Sequence, residues 1–159
     1  MEENDCSDFR DEMLKSHNAL RNLHGSKQLK LSEDLTRDTQ MWADIISEKG
    51  FIQFSEFSGR GENVIIVGTN GIRPSGNSVT ELWYKEIEHY DHSNPQWNKA
   101  CMNFTQMIWK SSTEIGIGIS KVRGRDKYVV VAHYRPSGNI NTVTEFRKNV
   151  LPPNSGMTS

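Results

Sequence analysis

Glu86 is a carboxylate where a helix should be apolar. Ser78-Val79-Thr80-Glu81 has the form of a capping box, and it predicts a helix running to about Tyr90. Val79, Trp83, Glu86 and Tyr90 then share one stripe, which turns Glu86 inward. A carboxylate there needs a hydrogen-bonding partner, or its charge is costly. His89 follows three residues later and His92 soon after, a spacing that can bind a metal ion but is also common on solvated helix ends; the second reading is preferred. His17 and His24 share a helical stripe with Met13 and Leu20. His17 is read as a core histidine with a hydrogen-bond partner rather than as a ligand. Lys121, Arg123, Arg125 and Lys127 alternate, which in an extended segment puts four cations on one face. Such a tip suits anionic lipid headgroups. On the residues alone, a soluble hairpin end that blocks edge pairing is the preferred reading.

The elements that must position these residues are legible in part. Ser7 caps a predicted helix ending at Gly25, with Met13, Leu20 and Leu23 inward. Ser32 caps a second, through Leu35, Thr39, Trp42 and Ile46 to Gly50, with Trp42 in the core. Residues 50–61 read as loop or short strand, 63–67 as a buried strand, and 68–77 as a glycine-rich connection. Residues 91–99 read as a polar loop with a packed Trp97. Phe104, Met107 and Ile108 mark the inner face of a helix over 101–110. The apolar runs 115–119 and 128–134 form a hairpin linked through Gly124, closed by the turn Tyr134-Arg135-Pro136-Ser137-Gly138-Asn139.

At 159 residues the chain is long enough for one domain with a sizeable core, expected over 7–153 with polar tails at 1–6 and 154–159. Its 19 basic and 20 acidic residues nearly cancel, which argues against nucleic acid as a partner. The acidic start has no apolar signal segment, no run is long enough to span a membrane, and residue 2 is Glu, which rules out N-myristoylation; the expectation is a cytoplasmic chain, peripheral at Golgi or other membranes at most. Cys6 and Cys101 are expected to be reduced thiols.

Two stretches carry a family resemblance. Phe104-Thr105-Gln106-Met107-Ile108-Trp109-Lys110-Ser111-Ser112 and Val130-Val131-Ala132-His133-Tyr134-Arg135-Pro136-Ser137-Gly138-Asn139 resemble the two signatures of the CAP superfamily, the cysteine-rich secretory, antigen 5 and pathogenesis-related proteins. Asn149-Val150-Leu151-Pro152-Pro153 resembles the ending of its intracellular, Golgi-associated branch. The resemblance implies an α+β fold, a three-layer α-β-α sandwich on a small, mostly antiparallel sheet. It also implies a cleft lined in the family by two histidines and two glutamates. Matched by motif, the glutamates are Glu62 and Glu86, whereas Phe54 and Asn103 stand at the histidine positions. Phenylalanine neither ligates nor titrates, and asparagine does not titrate, so the expectation is a cleft with no catalytic residues, metal or cofactor. Glu62 and Glu86 are then read as holding the layers together through backbone groups and Asn103. A family loop linked to sterol and caveolin binding is only partly matched, by Tyr90, His92 and Trp97.

The function expected is non-enzymatic binding, to an anionic membrane surface or lipid or to a protein partner, with a homodimer suggested by relatives. A scaffold with no lipid role is the alternative. A metal-dependent hydrolase using Glu62 and Glu86 is the other, disfavoured because no nucleophile–base pair is visible.

Overall fold

A computed structural model describes residues 3–154, with side chains from Cys6 onward. Met1, Glu2 and residues 155–159, including most of the expected C-terminal tail, lie outside the described residues. Five helices and four strands follow in the order α1 (Glu3–Leu23), β1 (Lys30–Leu31), α2 (Glu33–Lys49), β2 (Gly61–Gly68), α3 (Gly76–Tyr84), α4 (Met102–Ile108), β3 (Glu114–Lys121), β4 (Lys127–Arg135) and α5 (Val143–Asn149). The sheet order is β1-β3-β4-β2, with only β1–β3 parallel. Helix α2 packs on one face, through Ala43 and Ile46 against Val64, Val129 and Val131. The other helices bury Phe9, Met13, Trp83, Phe104 and Phe146 against Ile115, Ile117, Ile119, Val130 and Tyr134 on the opposite face. This is the expected three-layer α-β-α sandwich.

Strand β3 shows why α2 sits so close. Its isoleucines face the α1 layer, and Gly116 and Gly118 alternate with them toward α2. A Cβ on Gly118 would lie 2.7 Å from the Thr39 carbonyl oxygen, so the helix rests directly on strand backbone. Beyond the two residues of β1, side chains close the outer edge of β3. The Gln40 carboxamide donates to Ile119 O at 2.8 Å and accepts from Ile119 N at 3.0 Å, and Arg10 Nε donates to Ile117 O at 2.9 Å. One glutamine thus stands in for a strand peptide and blocks that edge.

Several local expectations are corrected. Helix α1 begins at Glu3 rather than after a Ser7 cap, and Cys6 is buried. The cap of α3 is Ser75, whose hydroxyl accepts from Ser78 N at 3.0 Å, so the helix starts one turn before the predicted box. After Tyr84 it tightens into a 3-10 turn, Lys85–His89. Trp42 is half-buried at the flank of α2, its indole N–H donating to Gln53 O. Trp97 is 41% exposed rather than packed. The buried line of α1 is Phe9, Met13, His17 and Arg21, continued by His24 just past its end, while Leu20 is only partly buried. As expected, Ser32 caps α2, Gly50 ends it with φ 82°, and Cys6 and Cys101 are not joined in a disulfide; both are buried.

Candidate functional site

The two matched glutamates have different surroundings. Glu62 lies on β2 opposite His133 of β4. Its Oε2 accepts from His133 Nε2 at 2.6 Å, and its Oε1 accepts from the backbone N–H of Ser55 at 2.8 Å. His133 is fully buried, and its Nδ1 meets the Thr39 hydroxyl at 2.9 Å. Phe57 stands edge-on to His133, with the Arg60 guanidinium 4.5 Å over the Phe57 ring and paired with Asp38 at 2.8 Å. Phe54, at the first histidine position, is instead 47% exposed. The aromatic at the site is therefore Phe57, three residues later.

Glu86 sits on the 3-10 turn beside the N-terminus of α4. Its Oε1 accepts from Asn103 N at 3.0 Å and Phe104 N at 3.1 Å, and its Oε2 accepts from Asn103 Nδ2 at 2.8 Å. It thus serves as a cap for α4, supplied from another element, where the helix dipole favours a negative charge. Desolvation still outweighs these donors and raises its pKa above the ordinary carboxylate value. Replacing Glu86 with alanine is expected to cost about 1–2 kcal/mol, the worth of a lost N-cap, with partial recovery in Glu86→Gln. Thermal unfolding, with hydrogen exchange at the Phe104 amide, measures this; an unchanged Tm in Glu86→Ala would mean water replaces the cap.

Glu86 and Asn103 are brought together as expected, whereas Glu62 bonds His133 and Ser55 rather than Asn103. The link between the two halves is Asn63, next along β2 and on its other face. Its Nδ2 donates to Asn103 O at 3.0 Å and to the Tyr134 hydroxyl at 3.3 Å. His17 completes that network, its Nε2 accepting from Tyr134 OH at 2.6 Å and its Nδ1–H donating to Met13 O at 3.0 Å. Burial lowers its pKa to about 3, so it is a neutral core histidine. Sequence reasoning missed His133, Phe57 and Asn63 as site residues. For His133 a signal was available: it stands in the second signature, at even spacing from Val129 and Val131 on the α2 face of β4.

His89 is close enough to lower the Glu86 pKa slightly, but His92 turns to the Leu151 carbonyl and the Tyr90 ring, 4.7 Å away. Among the described residues no three His, Cys, Asp or Glu side chains are grouped to hold a metal ion. A depression of about 210 Å³ touches Glu86, bordered by Leu82, Lys85, Glu88, His89 and Ala100. Larger grooves, of about 580 and 620 Å³, lie elsewhere, between α1 and α2 and beside α3. Tyr90 is buried against Phe104 and Phe146 while Trp97 is exposed, so Tyr90 and Trp97 do not share one surface.

The signature residues interlock. The Gln106 carboxamide accepts from Gly138 N at 2.9 Å and donates to Ser112 Oγ at 3.2 Å. It fills space that a Cβ on Gly61 or Gly138 would occupy. Thr105 Oγ1 donates to Asn139 Oδ1 at 2.6 Å, and Asn139 Nδ2 donates to Met102 O at 2.9 Å. These residues clasp α4 to the turn after β4.

The basic hairpin differs from expectation in shape. Lys121 and Lys127 end the strands, and 122–126 is a turn with Gly124 at φ 70° rather than an extended run. All four cations are exposed, but Arg123 pairs with Glu48 at 3.0 Å.

A sandwich with this clasp, and with a glutamate on β2 and another on the turn after α3, is the class of domain that the two signatures mark. The family model of the cysteine-rich secretory proteins, CAP, matches residues 14–134, and the chain belongs to that family. It is 32% identical over 145 residues to the human Golgi-associated plant pathogenesis-related protein 1, covering 91% of this chain and 94% of that one. It is 33% identical over 147 residues to protein PRY2 of Saccharomyces cerevisiae, covering 91% of this chain but only 42% of that longer protein. Among solved structures, NaASP2 with Zn2+ superposes with a TM-score of 0.75 at 18% identity, over 92% of this chain and 88% of that one. BmVAL-1 gives 0.73 at 23%, over 87% and 82%. No helix among the described residues is long and apolar enough to cross a membrane.

Proposed function

We propose that this chain is a non-enzymatic CAP-domain protein that binds anionic membrane surfaces from the cytoplasmic side, with the cleft retained as structure. The observation that carries the reading is the β3–β4 turn, where Lys121, Arg123, Arg125 and Lys127 are all exposed on a chain of net charge −1. Each basic residue close to an anionic bilayer contributes about 1 kcal/mol, and several together suffice for reversible docking. The name of the Golgi-associated human relative agrees with a membrane setting, the Golgi included. A silent cleft agrees with the chemistry: each oxygen of Glu62 and Glu86 already accepts a hydrogen bond from the protein. The zinc that accompanies NaASP2 belongs to that protein. Here Asn103 stands at one matched histidine position, Phe57 fills the site where the other was expected, and Glu62 is held by a buried histidine, an arrangement poorly suited to zinc.

Co-sedimentation with vesicles, with and without phosphatidylserine and at low and moderate salt, tests this. Binding is expected only with the anionic lipid, weakening as salt rises, and lost when all four basic residues become serine. Absence of binding by the wild-type chain to any vesicle would retire the membrane reading in favour of a protein-partner scaffold.

A further inference from the structure

The hairpin end is more than a charged tip. The Arg123 amide donates to Ser47 O at 3.1 Å, so the turn is seated on the last turn of α2. The chain reverses there: Gly50 ends the helix, and Lys49 Nζ donates to Gln53 Oε1 at 2.7 Å. The reversal leaves Phe51 and Ile52 59% and 45% exposed. On its other flank the turn meets the loop after β2. The Thr69 amide donates to Asp126 O at 3.2 Å, and the loop tightens through Ile72 N to Thr69 O at 3.1 Å. That loop leaves Ile72 74% exposed, the highest value among the exposed large hydrophobic residues. One end of the sheet therefore presents a cationic centre between two apolar projections. Glu48 is paired with Arg123, Asp126 lies within the turn itself, and Asp44 borders the same groove as Lys121.

We infer that this end is an amphipathic membrane-docking face, in which Phe51, Ile52 and Ile72 enter an anionic bilayer while Lys121, Arg123, Arg125 and Lys127 contact its headgroups. The inference rests on the membrane reading above and adds insertion to it. The occupant follows from the pairing of chemistries. Apolar side chains exposed on two loops, with basic residues on the turn between them, match the boundary between acyl chains and anionic phosphate. The core of a protein–protein interface is depleted of charge, whereas here four cations lie between the two projections.

The test uses the full chain and vesicles of phosphatidylcholine with about 30% phosphatidylserine, an anionic surface of the kind basic clusters recognise. Because Cys6 and Cys101 are buried, single surface cysteines introduced by Phe51→Cys, Ile72→Cys and Lys148→Cys can be labelled with an environment-sensitive fluorophore. Lys148 lies on α5, remote from the hairpin, and serves as the control. Labels at 51 and 72 are expected to shift to the blue on vesicles, and the label at 148 to stay unchanged. Unlabelled Phe51→Ser with Ile72→Ser is expected to bind about tenfold or more weaker, and part of the wild-type binding is expected to survive at high salt. Wild-type binding abolished by salt, with all labels remaining in water and the serine variant unaffected, overturns insertion while leaving electrostatic docking standing. No wild-type binding to any vesicle overturns both. Self-association that disappears in the serine variant, with no label entering lipid, would reassign the face to a second copy of the chain.

Discussion

Replacing Arg21 with methionine is expected to lower the unfolding free energy by about 3–5 kcal/mol, a large effect for a single side chain. Arg21 is fully buried, and its hydrogen bonds go to backbone carbonyls rather than to a carboxylate. Its Nε donates to Lys27 O at 2.9 Å, Nη1 to Met107 O at 2.9 Å and Trp109 O at 3.0 Å, and Nη2 to Ser112 O at 2.9 Å. Three of these carbonyls end α4 and the turn after it, where a helix leaves its carbonyls without partners of their own and its dipole is negative. Burial lowers the guanidinium pKa to about 10, which still leaves it charged at neutral pH. Methionine matches much of the volume but none of the donors, so all four carbonyls lose the guanidinium, Trp109 O alone keeping a second donor, Ser112 N at 3.1 Å. Arg21→Lys supplies a charge without the planar fork and should fall between the two. Chemical denaturation of the three proteins decides it; a methionine variant within about 1 kcal/mol of wild type would show that water enters and takes over the bonds.

Acidification should remove stability through His17. The open-chain imidazole titrates near 6.5, whereas in the fold its pKa is lowered to about 3, chiefly by desolvation and further by Arg21. Between these values the unfolded chain holds a proton that the native chain does not. Stability from this group is therefore complete above pH 6.5 and falls as pH drops toward 3. The difference corresponds to on the order of 4–5 kcal/mol, comparable with the whole stability of a small domain. The geometry gives the cause: Nδ1–H already donates to Met13 O, and Nε2 accepts from Tyr134 OH, so the ring cannot take a second proton without losing a bond. His24, with its pKa also lowered by burial, adds in the same direction. Denaturant midpoints at neutral pH and at two acidic values above the folded pKa, compared with His17→Gln, test this. The variant is expected to be less stable at neutral pH but to lose less on acidification; an equal pH slope in the two proteins would remove His17 from the account.

Both predictions concern α1, the element whose interior is least legible from sequence. The sequence places His17 and His24 on the inner stripe with Met13, and both are buried, but it also puts Leu20 there, which is only partly buried, and gives no sign of Arg21, which is fully buried. Hydrophobic spacing cannot identify a buried arginine, because burial is tolerable only where carbonyls from distant segments converge, here from positions 86 to 91 residues further on. Helix α2 is legible to its ends, because its Ser32 cap and Gly50 stop are local signals that need no distant partner. The start of α3 differs from expectation because two serines three residues apart both suit a cap, and the chain uses the earlier one.

The same division runs through the site. By itself the sequence determined the family signatures, the α+β class, the inward position of Glu86 and the four exposed cations, since residue type and short-range spacing carry these, whereas the pairing of Glu86 with Asn103 was implied only by the family resemblance. Tertiary structure alone decided that Glu62 takes His133 as its partner, that Phe57 rather than Phe54 stands against that histidine, and that Gly61 and Gly138 leave room for Gln106. It also decided that Phe51, Ile52 and Ile72 flank the basic turn. The physical reason is common to these cases. Strand register sets which residues oppose each other across β2 and β4, and the paths of loops 51–60 and 69–75 depend on the helices and strands they cross, so the partner of each residue lies far away in the chain.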